Sequence, residues 1–151
     1  MYVCEIVETE SDIASLATEE SLHINVSDPK ILISPGWKNL NLARSIYIIF
    51  QKGQGILPTH KRTFISQLPP SIEKLDIITF DNACFNELEL SHLINLKELF
   101  IRGSNVYRYI VENFTKKINL DKVKFLFEQD CTGYMTVEEW NGKSWDVRCI
   151  R

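Results

Sequence analysis

The sequence of 151 residues has no lysine or arginine before Lys30 and no apolar run long enough to cross a membrane. Its strongest apolar run, Ile46–Phe50, is far shorter than the ~20 residues of a membrane-spanning helix. The N-terminal residues MYVCEIVETE lack the basic start and the apolar stretch of a signal peptide. We therefore expect a cytoplasmic protein that does not bind membranes.

Metal-binding motifs are absent as well. The four cysteines, Cys4, Cys84, Cys131 and Cys149, are widely separated and form no CxxC pair. The three histidines show no paired spacing typical of a zinc site. The sequence therefore predicts free thiols in a reducing compartment, with no metal and no cofactor.

No group of residues forms a catalytic pattern. Gly53 and Gly55 follow a predicted strand, but the third glycine of a phosphate-binding loop is missing. Glu138 and Glu139 are neighbours on one predicted strand, so their carboxylates fall on opposite faces and cannot act as a pair. The polar stretch 59–62 predicts a solvated loop. We expect a protein that is not an enzyme.

Charge is distributed unevenly along the chain. There are 17 basic and 20 acidic residues, which gives a net charge of −3. The first 28 residues hold seven of the acids, and the rest therefore has an excess of four positive charges. An acidic protein lacks the basic surplus of a nucleic-acid-binding protein, so we expect no nucleic-acid partner. The acidic start is instead a candidate docking surface for a basic protein, with Glu8, Glu10 and Asp12 as contact residues.

The main positive signal is a repeat of 24 residues. LINLKEL (93–99) recurs as KINLDKV (117–123), and sliding this frame along the chain finds five strand-like cores. They begin at Leu22, Ile46, Leu75, Leu99 and Val123, at spacings of 24, 29, 24 and 24. A single short strand cannot bury its apolar side, whereas stacked copies share a core. The repeat predicts an α/β fold with a parallel sheet arranged as a short solenoid. The alternative is an ordinary α/β layer.

The central repeats resemble the leucine-rich-repeat family. The pattern LPPSIEKLDI, followed by LKELFI and LDKVKF, is similar to that family's repeat and includes its LPxSIxxL opening. The resemblance covers about residues 19–130. It implies a leucine-rich-repeat-like solenoid with inward-facing apolar residues on each strand.

The two ends are expected to cap the repeats within a single domain of residues 1–151. Residues 1–20 predict an N-terminal cap made of a strand and a short helix, with Ser11 as the N-cap residue. The repeats follow over residues 21–130, and a C-terminal β-hairpin covers residues 134–150.

The hairpin is predicted from Asn141-Gly142, a strong turn signal between two β-prone runs. A two-residue loop would place Glu138 opposite Trp145. A three-residue loop would place Val137 opposite Val147 and Met135 opposite Cys149, which gives a cleaner apolar face and is the favoured register.

The sheet face opposite the core, here called the open face, is the second candidate docking surface. Residues that alternate with the core positions are expected on it, and an apolar stripe rimmed by charges is typical of a protein contact surface. The repeat frame places Lys124 in one row with Tyr47, Asp76 and Phe100. The full set of candidate contact residues is Tyr47, Ile49, Asp76, Ile78, Glu98, Phe100, Arg102 and Lys124, with Trp140 at the predicted turn. The alternative is that the hairpin or residues 53–64 cover this face.

Small size, uneven acidity and short repeats without catalytic groups also resemble bacterial immunity proteins. This resemblance implies a cytoplasmic protein that neutralises a toxin, such as a basic nuclease, by occluding it in the manner of contact-dependent growth inhibition systems. A generic leucine-rich-repeat adaptor or effector that recognises another protein remains an alternative. A second alternative is an enzyme with a site around Cys84, His92 or His60.

Overall fold

The computed structural model describes the backbone of residues 5–26, 28–50, 55–79, 90–104, 124–131, 134–140 and 145–150. Side chains of this part are described as far as residue 101, except those of residues 58 and 79. The elements are β1 (Glu5–Ile6), α1 (Glu10–Ser15), β2 (Ser21–Val26), α2 (Pro29–Leu32), β3 (Ser45–Phe50), α3 (Pro58–Gln67), β4 (Lys74–Thr79), β5 (Glu98–Ser104), β6 (Lys124–Cys131), β7 (Tyr134–Trp140) and β8 (Trp145–Ile150). Two 3₁₀ helices, Leu16–Thr18 and Pro35–Asn39, follow α1 and α2.

All eight strands form one sheet, and their order in the sheet is their order in the chain. The pairings from β1 to β6 are parallel, whereas β7 and β8 continue the sheet as an antiparallel hairpin. Parallel neighbours need a crossover, and short helices connect the strands from β1 to β4. The predicted α/β fold with a parallel sheet is thus confirmed, with five longer parallel strands, β2 to β6, and few helices.

The repeat spacing predicts the strand register correctly at three successive pairings. Positions 24, 29 and 24 residues apart face each other from β2 to β5. The matched positions are Leu22 with Ile46, Ile46 with Leu75, and Leu75 with Leu99.

The last predicted pairing is wrong. Leu99 opposes Phe125, two residues beyond the predicted Val123, which lies outside the described residues. Because successive side chains of a strand alternate between faces, a shift by two residues leaves the face pattern unchanged. Val123, Phe125 and Phe127 are all apolar, so the alternation cannot distinguish the two registers.

The core lies between one face of the sheet and the helices. Alternate strand residues such as Ile24, Ile48 and Leu99 are fully buried there. Trp37 and Phe64 cover them from the helical side, with ring centroids 5.0 Å apart in an edge-to-face arrangement. Trp37 is fully buried, as expected, and its Nε1–H donates a hydrogen bond to the Ile31 carbonyl at 2.8 Å.

The strands are joined at their starts by a repeated backbone hydrogen-bond pattern. The carbonyls of Glu20, Arg44 and Glu73 each accept two N–H groups from the start of the next strand, at 2.7 to 3.1 Å. These residues recur at the spacing of the strands. The repeat seen in the sequence is therefore also a repeat of backbone geometry.

Two local predictions near the helices are wrong. The N-cap of α1 is Thr9 rather than Ser11, because Thr9 forms a capping box with Asp12. Residues 59–62 lie on α3 and not in a loop.

The hairpin is present, but its register differs from both predicted alternatives. Trp140 opposes Trp145, and Glu138 opposes Val147. Four residues, 141–144, therefore separate the strands, and they lie outside the described residues. In the part of the chain that the structure describes, no helix is long and apolar enough to span a membrane.

Candidate protein-binding surface

The open face consists of three rows of residues that oppose one another across the parallel strands. Each predicted row is correct in its first four members, and the fifth is displaced by the shifted β5–β6 register. The rows are Ser21, Ser45, Lys74, Glu98 and Lys124; His23, Tyr47, Asp76, Phe100 and Leu126; and Asn25, Ile49, Ile78, Arg102 and Glu128. Lys124 thus belongs opposite Glu98 and not in the row of Phe100, where it was predicted.

The predicted covering of this face is not seen among the described residues. The hairpin extends the sheet in its plane through β6–β7 pairing, because its backbone continues the ladder of hydrogen bonds. Residues 58–67 form α3, whose Phe64 packs against Phe50 of the core with centroids 5.9 Å apart. Neither segment therefore lies over the open face.

Aromatic rings dominate the middle row. Strands are only about 4.8 Å apart, so large side chains at opposing positions must contact each other. His23 and Tyr47 stack with centroids 5.4 Å apart and ring planes inclined by 28°. Asp76 follows on β4 and is only 5% exposed, although it lies on the open face. Its neighbours in the row, Tyr47 and Phe100, flank it on both sides.

Lys74 connects the charged first row to the aromatic middle row. Its Nζ lies 5.0 Å from the centroid of the Phe100 ring and 4.0 Å from the Glu98 carboxylate. Both charged side chains are about 40% exposed, so this ion pair contributes at most about 1 kcal/mol. The ammonium group above the ring holds Phe100 in place and keeps a charge beside it.

The third row forms an apolar band. Ile49 and Ile78 oppose each other and are half-buried. Ile6 on β1 opposes Asn25 and extends this row to the edge of the sheet, where it is 63% exposed. The sequence analysis missed Ile6 because β1 lies 19 residues before its partner and not 24. An isolated apolar residue between acids, in CEIVE, is the only signal that could have indicated it.

Two of the three predicted acidic contact residues have structural roles. The Asp12 carboxylate accepts hydrogen bonds from the backbone N–H groups of Glu8 and Thr9 at 2.9 and 3.0 Å. These bonds stabilise the charged form and lower the pKa of Asp12 below its ordinary value of 3.8.

Glu10 joins α1 to the following 3₁₀ helix. Its Oε2 accepts a hydrogen bond from Ser34 Oγ at 2.7 Å, and Ser34 Oγ in turn accepts one from the Gly36 N–H at 3.0 Å. Ser34 is buried, so this contact fixes the turn against the helix. Glu8 is exposed at the surface close to Ile6 in the chain.

A shallow pocket of about 300 Å³ lies at the starts of the parallel strands, lined by polar residues such as Arg44, Ser71 and Asn95. Ser71 Oγ donates to the Ala43 carbonyl at 2.6 Å, and Asn95 Nδ2 donates to the Pro70 carbonyl at 2.8 Å. These side chains connect successive loops. The pocket is therefore part of the packing of one repeat on the next.

The residues of the enzymatic alternative are not brought together. His60 Nδ1 accepts the Leu57 N–H at 2.9 Å at the start of α3. His92 Nε2 lies 3.1 Å from the Ile65 carbonyl, an arrangement that requires hydrogen on Nε2. Cys84 lies outside the described residues. Within the described ranges, no three His, Cys, Asp or Glu residues form a group that could hold a metal ion.

Three predicted contact residues are placed by their backbone alone. Arg102 on β5 opposes Ile78, and Lys124 on β6 opposes Glu98. Trp140 ends β7 opposite Trp145. Their side chains lie outside the described part. No protein-family profile matches the sequence, and searches of curated proteins and of solved structures returned no significant match.

Proposed function

We propose that this chain is a protein-binding module and that the open face is its contact surface. The observation that carries the proposal is the block of aromatic and aliphatic residues in two adjacent rows, Tyr47, Ile49, Ile78 and Phe100, all half-buried on the face opposite the core. Aromatic anchors surrounded by a charged rim are the composition of binding hot spots. A sheet holds them rigidly, which lowers the entropy cost of association.

We further propose that the strands form a leucine-rich-repeat-like solenoid. The equal offsets from β2 to β5 and the repeated hydrogen bonds at the strand starts support this arrangement. In it, the segment with β1 and α1 is the N-terminal cap and the hairpin of β7 and β8 is the C-terminal cap. Both ends of a repeat array need such protection.

The partner that we propose is a toxin with a basic surface, such as a nuclease, and the chain is then its cytoplasmic immunity protein. It occludes the toxin and performs no chemistry itself. Two features support an acidic contact: Glu8 is exposed, and Ile6 joins the acidic start of the chain to the third row of the open face. One partner can therefore contact both predicted docking surfaces, with the acidic segment increasing the rate of association.

Site-specific photo-crosslinking in the native host tests which face is used. A benzophenone amino acid replaces Phe100 on the open face or, as the control, Leu57 at the start of α3, which is 56% exposed. We expect one dominant crosslinked protein from position 100 and none from position 57. The same product from both positions, or from position 57 alone, would contradict the open face as the contact surface.

The identified partner then allows a matched comparison of affinity. The variant Tyr47→Ala/Phe100→Ala should bind at least about 30-fold more weakly, because each truncation of a hot-spot aromatic costs roughly 1–2 kcal/mol. The control Leu57→Ala/Ile94→Ala removes two exposed apolar side chains outside the open face and should leave affinity unchanged. Equal losses would contradict the proposal.

The immunity role is tested separately by expressing the partner in a bacterium. We expect growth arrest by the partner alone, rescue by the wild-type chain and poor rescue by Tyr47→Ala/Phe100→Ala. A partner that binds through the open face but is harmless would reject the immunity role and favour an adaptor.

A further inference from the structure

The hairpin leaves the sheet with an edge strand of six residues. Because β6, β7 and β8 continue in one plane, the edge lies at β8. Among the described strands, β8 pairs with β7 alone. An edge of this length exposes a row of backbone donors and acceptors, which is a template for pairing with another strand.

The β7–β8 register places two acids directly opposite each other. Glu139 opposes Asp146, whereas Arg148 opposes the apolar Val137. Opposing positions on antiparallel strands interact, and like charges there are destabilising. Asp146 therefore has an acidic position on its β7 side, and a basic position on its other side would compensate it.

We propose that a second copy of this chain supplies that base by antiparallel pairing of β8 with β8. A twofold axis at Val147 places Asp146 of each copy opposite Arg148 of the other. Each row across the interface then alternates acid, acid, base and apolar position. The two sheets of eight strands become one continuous sheet.

The order of charges in β8 favours this occupant over a different strand. Two charges of opposite sign flank one central residue, in the sequence Asp146-Val147-Arg148. This order complements itself when the strand is turned end to end. Two charges of the same sign would repel in the same register and would block edge pairing. Self-complementarity is the property that a twofold interface requires.

Charge reversal at the two positions tests the proposal with the full chain. Sedimentation equilibrium over a range of concentrations should find a dimer of the wild-type chain that dissociates on dilution. Asp146→Arg and Arg148→Asp each place like charges opposite each other twice in the homodimer. Either variant should weaken dimerisation by roughly tenfold or more.

Two combinations should restore the dimer. Mixing the Asp146→Arg chain with the Arg148→Asp chain gives a heterodimer in which both facing pairs are again of opposite sign. The double variant Asp146→Arg/Arg148→Asp restores the same complementarity within one sequence. Unfolding does not explain the loss in Asp146→Arg, because an arginine opposite Glu139 suits the β7–β8 pair, and circular dichroism checks this directly.

Three results would overturn the proposal. The first is a wild-type chain that stays monomeric at all concentrations. The second is a dimer that persists in both single variants, or two single variants that do not associate when mixed. The third is dissociation of the dimer by Phe100→Ala, which would place the contact between copies on the open face.

Discussion

Leu99 and Phe100 are neighbours on β5 that lie on opposite faces of the sheet, so the same substitution at each tests how the two faces differ. Leu99 is fully buried in the core, whereas Phe100 is half-buried on the open face beside Lys74. We expect Leu99→Ser to destabilise the protein far more than Phe100→Ser, even though phenylalanine is the larger residue.

The magnitudes follow from burial. Leu99→Ser removes about three buried carbons, about 2.5 kcal/mol of transfer free energy. The cavity and the buried hydroxyl add about 2 to 3 kcal/mol, for a total near 5 kcal/mol. At Phe100 no enclosed cavity forms and the new hydroxyl reaches water. The lost ring burial and its cation–π contact then cost about 2 kcal/mol.

Urea unfolding followed by tryptophan fluorescence measures both values. Trp37 is fully buried and edge-on to Phe64, so its emission reports the loss of the core. A loss of 5 kcal/mol is comparable with the whole stability of many domains, and Leu99→Ser should be largely unfolded or nearly so. Equal destabilisation by the two variants would refute the reasoning, because the open face would then be a second core.

Three further predictions concern the N-terminal segment. Thr9→Ala removes the hydroxyl that accepts the Asp12 N–H and should lower the free energy of unfolding by about 1 kcal/mol in a urea titration. The lowered pKa of Asp12 means that its ionised form stabilises the fold above the unfolded-state pKa and that this contribution is lost as pH falls through the folded-state pKa. The stability advantage of wild type over Asp12→Asn should accordingly shrink between neutral pH and about pH 3, and an advantage independent of pH would contradict this cause. Ser34→Ala leaves the Gly36 N–H and the Glu10 carboxylate without their shared partner and should raise the urea sensitivity by about 1 to 3 kcal/mol, whereas a Ser34→Ala/Glu10→Gln double variant should lose less than the sum.

Much of the fold can be predicted from spacing alone. Apolar positions 24, 29 and 24 residues apart give the correct register from β2 to β5, because each strand buries one face and only one frame places all its apolar residues there. The β5–β6 register cannot be read in this way, since alternation has a period of two and Phe125 fits as well as Val123. The hairpin fails for a related reason. Asn-Gly indicates where a turn is, but loops of two to five residues all satisfy it.

The candidate surface is predicted less completely than the fold. Alternation places Tyr47, Asp76 and Phe100 in one row, and the structure has them there. Counting charges cannot show which acids hold the backbone, so Glu10 and Asp12 were predicted as contacts although they cap and fix α1. The motif Thr-x-x-Asp before α1 contains the signal of the capping box.

The agreement between strand order and chain order has a consequence for synthesis on the ribosome. Each strand from β2 to β8 pairs with the strand made just before it, so no segment waits for a distant one to be translated. A growing chain can add strands to an existing edge one after another, and contacts between sequence neighbours favour rapid folding. A chain that stops after any strand should therefore keep the pairing of all earlier strands, and its lifetime in the cell should increase stepwise with each strand added.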